Sequence, residues 1–214
     1  MARLRTAVLI SGRGSNLQAL IAAAEPTHPA EIALVLSNRP EAAGLGHAAE
    51  AGIACQVVDQ SAYKGDRDGF DRALTEALEA AGIELVCLAG FMRVLTGGFV
   101  AHWQDRLINI HPSLLPAFPG LDTHARALAA GVKLHGCTVH YVREEVDSGP
   151  IIGQAAVPVL PEDTAETLAA RVLAIEHRLY PACLRLVAEG RVAHPVTLDG
   201  GVFLMQPPAE TGES

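Results

Sequence analysis

Positive charge, cysteine and long apolar runs are all scarce in this 214-residue chain, and each shortage removes a class of function. Sixteen Lys and Arg face 24 Asp and Glu, a net charge of −8 with His neutral. A chain-wide nucleic-acid binder carries a basic surplus to displace counterions, so that role is disfavoured. A small anionic ligand stays open, because a pocket can differ in sign from the surface around it. Cys55, Cys87, Cys137 and Cys183 are widely spaced and form no CxxC. They are too sparse for a secreted disulfide framework and read as reduced thiols. Arg3 and Arg5 precede an apolar run of residues 7–10 only, too short for a signal peptide, and no stretch approaches a membrane span. A cytoplasmic protein without membrane contact is expected.

What is plentiful is core-forming sequence. Half the residues are hydrophobic and 19% are charged, which supports an ordered fold with a core of its own. One domain over 1–206 is expected, with 207–214 as a flexible tail. Short β-branched runs at 6–11, 31–37, 53–58, 84–89 and 106–110 alternate with helical segments at 16–25, 41–51 and 66–81. In the last of these Phe70, Leu74, Leu78 and Ala81 share one face, and Gly82 stops it. Such alternation implies an α/β fold, a parallel sheet with helices on both faces. After a Pro-rich loop and a short helix at 123–130, strands at 133–142 and 150–159 are joined too briefly for a parallel crossover and are expected antiparallel. The sheet is therefore mixed but mostly parallel. Asp163 with Glu166 forms a candidate capping box for a helix with Leu168, Val172, Ile175 and Leu179 on one face. Pro181 is expected to kink or end that helix, and a strand pair around Val192 and Val202 to close the sheet.

Three segments carry candidate chemistry. Ser11-Gly-Arg-Gly-Ser-Asn16 joins the first strand to the first helix, where free N–H groups and the positive helix end suit an anion at Gly14, Ser15 and Asn16. Leu17 stands where a dinucleotide fingerprint needs a third small residue, Asn38 and Arg39 where it needs an acid, and no GKS or GKT follows. A monophosphate fits better than a dinucleotide or ATP. Asn109-Ile-His111-Pro-Ser113 ends a strand, and period two puts Asn109 and His111 on the same side. An amide beside an imidazole at a carboxyl edge can stabilise a developing oxyanion. Asp147, in the tight Arg143–Pro150 loop, could orient that imidazole or move a proton if the loop folds over the strand end. His111, His124, His135 and His140 match no zinc-ligand spacing, so no metal is expected. His140 reads as packed or pocket-lining, and Arg67 and Glu176 read as solvated by default.

Taken in order, ISGRGSNLQAL, LAGFMRVL, LINIHPSLLPAFPG, HGCTVHYV with EEVDSGPII, and IEHRLYP resemble the folate-dependent formyltransferases over about residues 4–191. The resemblance implies a Rossmann-like formyltransferase fold in a single domain. It also implies transfer of a formyl group from 10-formyltetrahydrofolate, as co-substrate, to the amine of 5'-phosphoribosylglycinamide. Asn109, His111 and Asp147 match the family's catalytic trio. By the same carry-over Gly14, Ser15 and Asn16 hold the substrate phosphate, and Glu176 faces the ribose or glycinamide. The folate lies along Met92, Arg93, Val94 and Leu95, beside Asn109, and under Arg143, Glu144, Glu145, Val146 and Asp147, with Arg67 at its anionic end. The partners implied are small molecules alone, on a monomer or homodimer.

Some positions depart from the family pattern. Arg13 sits inside the phosphate loop where a smaller polar residue is usual, and Ala117 and Asp122 stand where basic or His residues are common. Two related enzymes share the fold: the deformylase, with water as acceptor and an added N-terminal domain, and the tRNA-directed transferase, with an added C-terminal one. A non-catalytic nucleotide-binding module is the rival from another class, and it would tolerate changes at Asn109, His111 and Asp147.

Overall fold

The computed structural model describes residues 2–192 and 203–204. Eight strands, β1 (Leu4–Ile10), β2 (Ala30–Ser37), β3 (Ala54–Val57), β4 (Leu85–Leu88), β5 (Leu107–His111), β6 (Leu134–Tyr141), β7 (Ile151–Pro158) and β8 (Phe203–Leu204), form one sheet. Their order is β3-β2-β1-β4-β5-β6-β7-β8. Pairing is parallel from β3 to β5 and antiparallel from β5 to β8. Six helices cover it: α1 (Ser15–Ala23), α2 (Gly44–Glu50), α3 (Arg67–Ala80), α4 (Gly97–His102), α5 (Thr123–Ala129) and α6 (Ala165–Ala188).

Two cores follow from the period-two alternation of the central strands. Val8 and Ile10 of β1 face a core with Leu17 and Leu20 of α1 and Leu168, Val172 and Leu179 of α6. Ala7 and Leu9 face the other, with Phe70, Leu74 and Leu78 of α3 and Phe99 and Trp103 beside them. Because both faces are covered, residues 7–10 of β1 and the whole of β4 read as unbroken apolar runs rather than alternating ones. The α3 stripe is as the spacing predicts, with Asp66 capping its start by accepting from the Gly69 N–H (2.8 Å). Gly82 ends it at φ 62°, a left-handed conformation that glycine adopts without strain.

Four details differ from the sequence expectations. The α6 capping box is made by Thr164 and Thr167 rather than by Asp163 and Glu166. Asp163 instead pairs with Arg171 at 2.6 Å. Pro181 does not end α6, which runs 24 residues through it. Buried residues on both sides of it, Leu179 and Tyr180 before and Cys183 and Leu184 after, hold the helix on the sheet despite the missing N–H. Helix α4 was hidden by Gly97 and Gly98 at its start, where Thr96 accepts from the Phe99 N–H. Val192 lies in a turn, and Val202 and the 207–214 tail fall outside the described residues. The strand that does pair with β7 is Phe203–Leu204.

The fold aims two elements at one edge. The Tyr180 hydroxyl, fully buried on α6, reaches the carbonyl oxygens of Leu88 (3.0 Å) and Ile108 (3.3 Å). Ile108 immediately precedes Asn109, and Glu176 lies one helical turn before Tyr180. α6 is thus pinned to the sheet beside both.

Candidate active site

The carboxyl end of β5 is where the sheet changes from parallel to antiparallel pairing. Asn109 is paired with Leu88 on β4 and with His140 on β6. It lies two residues before His111, so both side chains leave the same side of the strand. The His111 ring is buried and held at both nitrogens. Nε2 lies 3.1 Å from the Phe118 carbonyl oxygen, and Nδ1 lies 3.4 Å from Asp147 Oδ2. A carbonyl oxygen only accepts, so the proton on Nε2 is assigned by its partner. Nδ1 is left as the nitrogen that can take or give a proton, with the carboxylate in front of it.

Asp147 is set by its loop. Its backbone has φ 56°, a left-handed conformation that Asp tolerates better than most residues. Its Oδ2 accepts from the Gly120 N–H at 2.8 Å. The side chain is only 9% exposed, so the negative charge faces the ring across little water. His140 stands on the other side, with Nε2 3.8 Å from Asp147 Oδ1. Burial pushes the His140 pKa down, against the smaller opposing effects of the Tyr141 carbonyl and Asp147. A neutral ring therefore donates from Nδ1 to the Tyr141 carbonyl (2.9 Å) and accepts at Nε2 from the Asn109 amide (3.2 Å). That bond fixes which way the Asn109 amide points and leaves its second N–H for a ligand.

The second cluster is the start of α1. Gly14 is its N-cap at φ 77°, and no side chain caps the helix. The amides of its first turn lack intrahelical partners by geometry. A Cβ on Gly14 would lie 2.7 Å from Gly44 Cα, so only glycine fits where the loop crosses α2. Asn16 Nδ2 donates to Glu176 Oε2 at 2.7 Å, while Asn16 Oδ1 is buried with no partner. Glu176 is buried rather than solvated, and burial pushes its pKa up, opposed in part by the Asn16 bond. Arg13 is exposed.

The remaining residues border the same edge unevenly. Met92, Val94 and Val146 are 64%, 59% and 55% exposed, an unusual set of bare apolar side chains. Leu95, by contrast, is buried in the α3 core, so only its backbone can face a ligand. The Met92 N–H is engaged by Ser11 Oγ (2.7 Å), whose hydroxyl donates to Asn38 Oδ1 (2.6 Å). Arg93 lies over the Phe70 ring at 3.9 Å. Arg67, the first residue of α3, donates to the Val94 carbonyl (3.1 Å). Arg143 pairs with Asp105 at 2.6 Å, Glu144 reaches over Gly97, and Glu145 is exposed. The sequence reading missed the Phe118 carbonyl and the Gly120 amide, backbone groups with no side-chain signal.

Among the described residues no group of three or more His, Cys, Asp or Glu could hold a metal, and no helix is long and apolar enough to cross a membrane. His124 and His135 pair with each other at 3.2 Å instead.

The formyl transferase family model matches residues 4–184. The trifunctional purine biosynthetic protein adenosine-3 of Gallus gallus is 53% identical over 191 residues, covering 89% of this chain but 19% of that protein. The chain thus spans 14–19% of the length of the trifunctional relatives it matches. The phosphoribosylglycinamide formyltransferase of Escherichia coli K12 is 46% identical over 186 residues, covering 86% of this chain and 87% of that one. The crystal structure of glycinamide ribonucleotide transformylase 1 from Symbiobacterium toebii superposes with a TM-score of 0.86 at 49% identity, covering 95% of this chain and 94% of that one. The strand-end amide, imidazole and carboxylate, the glycine loop and strands β1 to β7 all lie within the matched span, and this chain belongs to the formyl transferase family.

Proposed function

We propose that this chain transfers the formyl group of 10-formyltetrahydrofolate to the amine of 5'-phosphoribosylglycinamide, a step of purine biosynthesis. The observation that carries the reading is His111, fixed at Nε2 by the Phe118 carbonyl and facing Asp147 with Nδ1, beside an Asn109 amide oriented by His140. The names of the relatives support the choice of acceptor.

The substrate phosphate sits on the amides of Gly14, Ser15 and Asn16, where helix-end N–H groups meet an anion. The buried Glu176, with its raised pKa, and the unpartnered Asn16 Oδ1 turn toward the ribose or the glycinamide. The folate, a co-substrate, lies against Met92, Val94, Val146 and the backbone of Arg93 and Leu95. The 143–147 segment, with Arg143, Glu144 and Glu145, closes over it, and Arg67 meets its anionic end. No metal takes part in this reading, and small molecules are the partners.

As the amine attacks the formyl carbon, a new C–N bond forms and the carbonyl oxygen becomes an oxyanion. Asn109 donates its free N–H to that oxygen, and His111 donates from Nδ1. Asp147 balances the imidazolium charge and, through water, carries the proton lost by the amine toward the departing folate nitrogen. The bond from the formyl carbon to that nitrogen then breaks. Removing one such oxyanion donor costs about 3–4 kcal/mol of barrier.

The test is incubation with 10-formyltetrahydrofolate, with and without the ribonucleotide amine. Formyl loss that depends on the amine supports the transferase. Equal loss without it supports the deformylase, and binding of both ligands without turnover supports a nucleotide-binding module.

A further inference from the structure

Arg126 stands on the exposed side of α5, outside every group assigned above to substrate or chemistry. Its Nη1 donates to the carbonyls of Pro119 and Leu121, the two residues that flank Gly120. Its guanidinium lies 5.7 Å from the centre of the Phe118 ring, within cation–π range. The same ring meets His135 edge-on at 5.9 Å. One side chain therefore touches Phe118, Pro119 and Leu121 together.

Those residues surround the two backbone groups that grip the catalytic pair. The Phe118 carbonyl holds His111 Nε2 and the Gly120 N–H holds Asp147 Oδ2. The backbone delivering them is in an uncommon conformation, with φ 54° at Phe118, 78° at Gly120 and 54° at Asp122. A non-glycine residue is strained there, so such a path persists only where its surroundings enforce it. Pro116 and Pro119 restrict the segment but donate no N–H, which leaves carbonyls for an arginine to gather.

We propose that Arg126 is a positioning residue for formyl transfer. From α5 it holds residues 118–121 in the path that presents the Phe118 carbonyl to His111 and the Gly120 amide to Asp147. The inference rests on the reading of His111 and Asp147 as the catalytic pair. Without the guanidinium, the Nε2 anchor loosens and Nδ1 no longer addresses a fixed point, a rate effect rather than a binding effect on the phosphate side.

The experiment compares Arg126→Met, Arg126→Lys and His111→Ala with the wild-type chain by steady-state kinetics and thermal unfolding. Arg126→Met is expected to lower kcat at least about tenfold, as misplacement of a reacting group does. KM for the phosphoribosyl substrate stays within about twofold, because the Gly14–Asn16 loop is untouched. Arg126→Lys, which retains one cationic donor of shorter reach, recovers part of the lost kcat. An unchanged kcat in Arg126→Met while His111→Ala is inactive overturns this inference alone. So does a loss of kcat that only follows a loss of folded protein, or no recovery by lysine. Full turnover by a folded His111→Ala removes the catalytic reading and this inference with it.

Discussion

Replacing Asp147 with Asn removes one charge and almost no volume. The backbone there sits at φ 56°, and Asn is among the residues best able to occupy that region. The amide oxygen of Asn can still accept from the Gly120 N–H, so the loop keeps its anchor. What disappears is the negative charge 3.4 Å from His111 Nδ1, in a place where the two side chains are 8% and 9% exposed. At an effective dielectric of about 20, two unit charges at that distance attract by about 5 kcal/mol. The amide dipole returns a part, and Gly120 already shares the same oxygen, so about 3–4 kcal/mol of transition-state stabilisation is lost. That is a fall in kcat of about two to three orders of magnitude. The assay is kcat and KM for both substrates, run beside a thermal melt. A folded Asn variant with kcat within tenfold of the wild type would refute the electrostatic role assigned to Asp147.

Two further substitutions separate binding from folding. Gly14→Ala forces a side chain into the left-handed region and sets its Cβ 2.7 Å from Gly44 Cα. About 2–4 kcal/mol of stability should be lost in a denaturant titration, with KM for the phosphorylated substrate up at least tenfold; unchanged values for both would show that the loop yields freely. Glu176→Gln tests the buried carboxyl, whose raised folded-state pKa means that folding retains a proton the unfolded chain gives up. Stability from that group is therefore present below the unfolded value of 4.5 and declines as pH rises through the folded pKa. The Gln variant should flatten this decline, melting higher than the wild type at pH 7–8 while KM for the ribonucleotide rises. A wild-type pH–stability curve in the variant would show that burial does not govern Glu176.

Regular patterns in the sequence proved to be regular in space. The apolar runs that became β1 and β4 and the 70–74–78 spacing of α3 depend on periods that the backbone imposes, so they read directly. The shared side of Asn109 and His111 is the same kind of inference. Asp147 lies 36 residues from His111, and nothing local announces their meeting. β6 pairs antiparallel with β5 and ends beside Ile108, and the 143–147 loop then turns back to bring Asp147 to His111. Phe118 and Gly120 were illegible for another reason. They act through backbone atoms, which every residue possesses, and only the folded path of the loop selects them. Pro181 shows the converse, a strong local signal overruled by burial along the whole of α6.

A net charge of −8 fits a site for anions because the charges do different work at different distances. In the function proposed above, the Gly14–Asn16 loop offers a phosphate amide dipoles at contact range, which act over a few ångströms and need no surplus of basic residues. The two carboxyl groups nearest the chemistry are governed by their immediate partners and not by the surface. Glu176 is buried against an amide that donates once to it, and burial pushes its pKa up. Asp147 receives the Gly120 N–H and faces an imidazole, so its negative charge is used where positive charge develops. The neutral His140 on the other side of Asp147 is the third element, because a charged ring there would compete with His111 for the same carboxylate. The acidic surplus on the outer helices can vary without touching this arrangement. A change in the burial of Glu176 or His140 cannot.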